Sequence, residues 1–430
     1  MPELRRTELS VRRERVVLLG LVARSRDGGA DRELEELASL ADTAGAKVVK
    51  RVVQHRDRID PAFYVGRGKA AEVADLAREL KADVVIVDED LTPAQIRNLE
   101  EVTGVKVVDR SELILDIFAT RAHTQQAKLQ VELAQLQYTL PRLVRMWTHL
   151  ERYEGGIGTR GPGEKQLEVD RRLVKRRIRD LKQDLQAIDQ RKLREVHSRT
   201  DFFQVSLVGY TNAGKSTLMN RLTDAGVLVE DKLFATLDTR TRRWEMDSHL
   251  QVLLSDTVGF IRKLPHHLVA SFQATLEEAR HADLLLHVVD ASHADGPMQA
   301  QAVLETLDAI GCHDTPKLTV LNKMDKADVS QVHALETRFR DTVDISALTG
   351  EGMDRLQQRV SDILGEQMVE VTVETPPGDG RVGALIASEG KVLEQDHQPE
   401  GSRYRVLIRR TQLSRFKSMD QKVRVEEAGH

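Results

Sequence analysis

The chain reads as an α/β protein built from several domains, and three observations lead to that class. Apolar, β-branched runs of strand length alternate with helix-spaced segments from residue 16 to 110 and again from 203 to about 365, the pattern of parallel strands joined by crossover helices. Between them lie two stretches whose apolar residues recur at helical spacing, with no strand-like run. A length of 430 residues also exceeds what one hydrophobic core organises, so about two to four domains are expected.

In the first domain, residues 1–110, the strand candidates are VVLLGLV (16–22), KVVKRVV (47–53), DVVIVDED (83–90) and VKVVD (105–109), with helices near 31–44 and 69–80. YVGRGKAAE (64–72) looks faintly like a phosphate loop, but its spacing is wrong and a helix-opening turn accounts for it.

Residues 111–200 read as an antiparallel helical hairpin. Leu129, Leu133, Leu136, Leu140, Leu143, Trp147 and Leu150 alternate steps of four and three, which sets them along one helical stripe. Pro141 is expected to kink that helix. The spacing returns in Val174, Ile178, Leu181, Leu185 and Ile188, after the break GGIGTRGPGE (155–164). That break, flanked by Arg152 and Lys165 and containing Arg160, is either a plain linker or a cationic segment with a function of its own. RRLVKRRIRDLK (171–182) carries seven basic side chains against one acid, Asp180. Such a stripe can attract phosphates or can be a solvated helix face.

From residue 201 to 367 the alternation resumes, with FQVSLVG, QVLLSDT, LLLHVVD, KLTVLNK and TVDISAL as strands. PPGDG (376–380) interrupts the chain, and the last segment, 368–430, holds short strands such as RYRVLIRR in a small α+β domain.

Chemistry concentrates in 209–348. GYTNAGKST (209–217) lies where the buried strand FFQVSLV turns into the helical LMNRLTDA. The pattern G-x-x-x-x-G-K-[ST] needs that context, because backbone N–H groups and a helix N-terminus then converge on an anion. DTVG (256–259) follows the strand QVLLS, so the Asp256 carboxylate can hold Mg²⁺ through water while the Gly259 N–H reaches a γ-phosphate. NKMD (322–325) follows KLTVL, and Asp325 can accept hydrogen bonds from both N1–H and the 2-amino group of guanine, a donor pair adenine lacks. SAL (346–348) follows TVDI and can supply backbone contacts to the base O6. Each short pattern recurs by chance; all of them in one order, each at a strand end, do not.

Composition is that of an ordinary soluble protein, 40% hydrophobic and 31% charged. The single cysteine, Cys312, excludes an internal disulfide and suits a reducing compartment. No apolar run is long enough to span a membrane and the amino terminus lacks the apolar core of a signal peptide, so a cytoplasmic location is expected. A net charge of −4 does not mark a nucleic-acid binder as a whole, which leaves the basic stripe as a local feature.

The ordered motifs resemble the guanine-nucleotide-binding domain of Ras-like P-loop GTPases. The resemblance implies GTP and GDP as ligands, bound by Gly209, Tyr210, Thr211, Asn212, Ala213, Gly214, Lys215, Ser216 and Thr217; by Phe234, Ala235, Thr236, Leu237 and Asp238; by Asp256, Thr257, Val258 and Gly259; by Asn322, Lys323, Met324 and Asp325; and by Ser346, Ala347 and Leu348. Lys215 should contact the β- and γ-phosphates. Mg²⁺ is implied as cofactor, on Ser216, on Thr236 in the switch segment KLFATLDTRTRR (232–243), and on Asp256 through water; Thr239 rivals Thr236. Phe260 stands where such proteins commonly carry a water-orienting glutamine, so intrinsic hydrolysis should be slow or another group must position the water. Lys215, Asn212 and Gly259 are the expected transition-state supports, and Asn212 matches the asparagine that holds K⁺ in potassium-activated members.

Further segments narrow the family: ELILDIFATRAHTQQAKLQVELAQLQY, RLVRMWTHLER, GGIGTRGPGEKQLEVDRR, LFATLD and DTVGFIRKLPHHLVASFQATLEEA. With GYTNAGKSTLMNRLT they are similar to the HflX family of ribosome-associated GTPases, over residues 15–365. Lys165 departs from the more familiar GPGE-T-QLE, and Thr239-Arg240 replaces a frequent Pro-Thr. The family implies a cytoplasmic factor that binds the large (50S) ribosomal subunit and its rRNA and splits stalled or idle 70S ribosomes under stress, and a monomer is expected. Arg160, Lys165, Arg171, Arg172, Lys175, Arg176, Arg177 and Arg179 are then candidate RNA contacts. The alternative is a GTP switch that recruits a protein effector.

Overall fold

The computed structural model describes residues 13–22, 34–146, 162–197, 202–223, 233–234, 236, 240–246, 250–262, 278–375, 386, 390–398, 401–417 and 424–427. They fall into two compact units.

The first unit holds a four-stranded, all-parallel sheet of β1 (Arg15–Val22), β2 (Lys47–His55), β3 (Val84–Val87) and β4 (Lys106–Asp109), in the order β2-β1-β3-β4. Every side chain of β3, VVIV, is buried, as expected of an inner strand covered on both faces. Helices α1 (Glu35–Thr43), α2 (Arg67–Glu79) and α3 (Pro93–Thr103) make the connections. The start of α3 is written locally: the Gln95 N–H donates to Thr92 Oγ1 (3.3 Å), the Thr92 N–H to Gln95 Oε1 (2.9 Å), and Pro93 opens the first turn.

Helix α4 (Arg110–Arg121) follows β4 without a loop, and Asp109 caps it by accepting from the Glu112 N–H at 2.9 Å. The same buried carboxylate accepts from Tyr138 Oη (2.8 Å) and Arg142 (2.9 Å), and so pins α5 (Gln125–Met146) to the sheet. Helix α5 runs through Pro141. Against it packs α6 (Pro162–His197), through Leu129, Leu133, Leu181 and Leu185 with Leu136, Ile178 and Ile188 at the margin. The expected stripe positions Trp147 and Leu150, and the glycine-rich break through Gly161, lie outside the described residues.

The second unit is built on a six-stranded sheet of order β10-β9-β8-β5-β7-β6. Its strands are β5 (Phe203–Gly209), β6 (Arg240–Glu245), β7 (Gln251–Asp256), β8 (Leu284–Asp290), β9 (Lys317–Asn322) and β10 (Thr342–Asp344). All neighbours are parallel except β6, which pairs antiparallel with β7. The connecting helices are α7 (Lys215–Thr223), α8 (Gly296–Ala309), α9 (Val329–Arg338) and α10 (Met353–Gly365). Strands β5, β7, β8 and β9 end side by side, which gathers the loops after them along one edge, where open α/β sheets bind ligands. A small antiparallel sheet of β11 (Met368–Thr375), β12 (Gly390–Gln398), β13 (Gly401–Arg409) and β14 (Arg424–Glu427), with the short α11 (Leu413–Lys417), closes the chain around Val371, Val373, Ile386, Val406, Ile408 and Phe416. Arg409 ties it to the larger sheet, donating to Asp283 (3.2 Å) and lying 4.0 Å over the Phe203 ring.

Candidate functional site

The loop between β5 and α7 is held in shape by its own sequence. Gly214 has φ 94° and a Cβ there would strike the Asn322 side chain, so both backbone conformation and space demand glycine. Asn212 is exposed and left-handed at φ 62°, a conformation asparagine tolerates better than most residues. Lys215 opens α7 and is buried; its Nζ donates to the carbonyls of Gly209 (3.1 Å) and Tyr210 (3.0 Å), bringing the charge back over the loop. Burial pushes its pKa down to about 8, against the pull of the Asp256 carboxylate.

Ser216 Oγ donates to Asp256 Oδ2 at 2.7 Å, with Asp256 fully buried at the end of β7. Two hard oxygens of the kind Mg²⁺ prefers therefore converge at the head of α7, and this donor pair fits the ion. No cluster of three or more His, Cys, Asp or Glu side chains suited to a metal occurs among the described residues. Thr257 Oγ1 donates to the Leu207 carbonyl (2.7 Å), and Gly259 lies so near the loop that a Cβ would stand 2.7 Å from Thr211 Cα. Val258 and Phe260 are buried beside it.

Asn322 joins three motifs. Its Nδ2 donates to the Ala213 carbonyl (2.9 Å) and its Oδ1 accepts from the Ala347 N–H (2.9 Å). Next to it Asp325 is exposed, and Ser346 Oγ donates to its Oδ1 at 2.6 Å, which orients the carboxylate. The Met324 N–H bonds to the Ile345 carbonyl (3.2 Å), and Leu348 is exposed. Two partners were not visible in the sequence. Lys323 is paired with Asp290, at the end of β8, at 2.7 Å, and Arg221 of α7 donates to the carbonyls of Ala347 (3.3 Å) and Leu348 (2.6 Å). Neither pairing has a spacing signature; each depends on strand order.

Of the switch segment, Leu233, Phe234, Thr236 and the start of β6 at 240–243 are described; Phe234 and Thr236 belong to the first unit, where Phe234 is buried edge-to-face against Phe118 of α4 at 4.7 Å. Ala235, Leu237, Asp238 and the rival Thr239 lie outside the described residues, as does Arg160. Lys165 falls within α6. Farther along that helix Arg171, Arg172, Lys175, Arg176, Arg177 and Arg179 are all exposed. Arg177 is engaged across the hairpin by a two-point ion pair with Glu132 (2.6 and 2.8 Å).

A largely parallel sheet with a phosphate-type loop, a hydroxyl–carboxylate pair at the loop's helix and an NKMD motif stapled to the loop and to the SAL segment is the architecture of a P-loop GTPase. Family models match in succession along the chain: "GTP-binding GTPase N-terminal" at residues 31–119, "GTP-binding GTPase Middle Region" at 121–199 and "50S ribosome-binding GTPase" at 204–323. The GTPase HflX of Lacrimispora saccharolytica is 47% identical over 92% of this chain and 93% of its own length. HflX of Escherichia coli K12 is 45% identical over 85% of this chain and 87% of its own. Among solved structures, a GTP-binding protein from the hyperthermophilic archaeon Sulfolobus solfataricus in complex with GDP is 26% identical, with a TM-score of 0.42, over 81% of this chain and 99% of that one. The chain belongs to the HflX family of GTPases, and its reaction is hydrolysis of GTP to GDP and phosphate.

Proposed function

We propose that this GTPase binds the large (50S) ribosomal subunit in its GTP state and splits stalled or idle 70S ribosomes under stress. Family membership carries the reading: a model described as a 50S ribosome-binding GTPase matches residues 204–323. The exposed basic face of α6 supports it, because phosphate contacts and shape dominate recognition of structured RNA. In this reading Arg171, Arg172, Lys175, Arg176 and Arg179 face rRNA, with Arg160 inside the glycine-rich break and Lys165 just after it in sequence, whereas Arg177 is also held by Glu132. The protein acts as a cytoplasmic monomer, with segments 1–110, 111–200, 201–367 and 368–430 as its functional parts. Among the described residues no helix is long and apolar enough to cross a membrane.

At the nucleotide, the N–H groups of 209–217 and the Lys215 ammonium hold the phosphates, and Asp325 and the Ala347 and Leu348 main chain select guanine. Ser216, Thr236 and, through water, Asp256 would hold Mg²⁺, which would supply neutralisation of phosphate charge. Gly259 N–H meets the γ-phosphate. Phe260 offers no water-positioning group, and Asn212 would hold a K⁺ ion that would supply positive charge beside the phosphates.

The test is the GTPase rate with and without purified large subunits, in K⁺ and in Na⁺ buffers, at two salt concentrations. Stimulation by subunits that fades at high salt is expected, together with a faster rate in K⁺. A rate indifferent to subunits would favour a switch that recruits a protein effector, and equal rates in the two cations would remove the role of Asn212.

A further inference from the structure

The phosphate loop and the segment after β7 meet main chain to main chain. The Phe260 N–H donates to the Gly209 carbonyl (3.1 Å) and its carbonyl accepts from the Thr211 N–H (2.7 Å), an isolated parallel bridge opposite Tyr210. Two residues on, the Arg262 N–H donates to Tyr210 Oη at 2.8 Å. Tyr210, Phe260 and Ile261 are each 4% exposed, so these bonds are shielded from water. A side chain of the phosphate loop thus grips the main chain just beyond Gly259.

We propose that Tyr210 is a positioning residue for the γ-phosphate: its hydroxyl, acting through the Arg262 N–H, fixes the 259–262 main chain and with it the direction of the Gly259 N–H. The bridge alone fixes this segment at one residue, and rotation about the neighbouring backbone dihedrals can still redirect the Gly259 amide. The Thr257 Oγ1–Leu207 bond holds the segment before Gly259 and the Arg262 N–H–Tyr210 bond holds it beyond Phe260, so Gly259 sits between two anchors. A donor aimed before the ligand arrives has no reorganisation to make when charge develops. The inference rests on the reading that Gly259 N–H meets the γ-phosphate. GDP lacks that group, so the tether should act on GTP alone.

The test is Tyr210→Phe, which keeps the ring and removes only the hydroxyl. Affinities for GDP and for a nonhydrolysable GTP analogue, the single-turnover hydrolysis rate, and hydrogen exchange at the Arg262 amide would be measured beside Gly259→Ala. The ratio of analogue to GDP affinity should fall about three- to tenfold, and hydrolysis with it, the range one net hydrogen bond supplies, since the substitution keeps the Tyr210 main-chain N–H that both nucleotides use. Exchange at Arg262 should quicken. Equal losses for both nucleotides would mean that Tyr210 only shapes the loop. An unchanged analogue-to-GDP ratio, or tighter analogue binding, would also overturn the proposal. If Gly259→Ala shifts the ratio and Tyr210→Phe does not, the tether is what fails; if Gly259→Ala leaves the ratio unchanged too, the γ-phosphate reading of Gly259 fails with it.

Discussion

The proposed choice of guanine rests on one exposed side chain, Asp325, aimed by a neighbour. Ser346 Oγ occupies Oδ1 at 2.6 Å, which leaves the carboxylate turned rather than spinning and still rich in acceptor positions. Asp325→Asn should lower guanine-nucleotide affinity by about tenfold or more, because an amide N–H then opposes a donor of the base. The same amide suits the 2-carbonyl of xanthine, so competition between GDP and xanthosine diphosphate should shift toward the latter; an unaltered preference would overturn the base-recognition argument. Residues of this kind were legible in the sequence because the chemistry restricts both residue type and spacing. Asp290 and Arg221 were not. Asp290 reaches Lys323 across neighbouring strands, and Arg221 holds carbonyls a long way off in sequence, so their roles exist only once the strand order is known.

At the scale of elements, the α5–α6 hairpin rests on a small leucine seam. Leu181 is fully buried among Leu129, Leu133 and Leu185, with half-buried neighbours around them. Leu181→Ala should cost about 2–5 kcal/mol locally, toward the lower end because the margin can close up. Hydrogen exchange across Gln125–Met146 and Pro162–His197 should rise while GDP affinity holds; unchanged protection would show that the seam contributes little. This hairpin was readable because its apolar period is long and regular. Strand β6, RTRRWE, was not, since only Trp244 is buried and the charged remainder reads as loop. An edge strand with one buried side chain carries too little alternation to declare itself. Pro141 lies inside α5, which continues beyond it.

For the molecule as a whole, acid should act through an inner strand. His287 of β8 is fully buried, neither ring nitrogen has a hydrogen-bond partner among the described residues, and burial, aided by Lys317, holds its pKa down to about 4. The unfolded chain takes up this proton from about pH 6.5 downward and the folded chain only near 4, so stability falls as pH drops between those values. The loss is at most about 3 kcal/mol. Thermal melts of His287→Phe over that window should show a flatter pH dependence than the parent protein, and parallel slopes would acquit the histidine. Phe234 bears on the molecule differently. It precedes the candidate metal threonine by two residues, yet its ring is 1% exposed and seated on Phe118. A fragment cut before β5 and kept for nucleotide binding would therefore carry a bare aromatic ring two residues from the proposed metal threonine, stripped of its seat. Rates measured on such a fragment would describe a different switch from the one the intact chain owns.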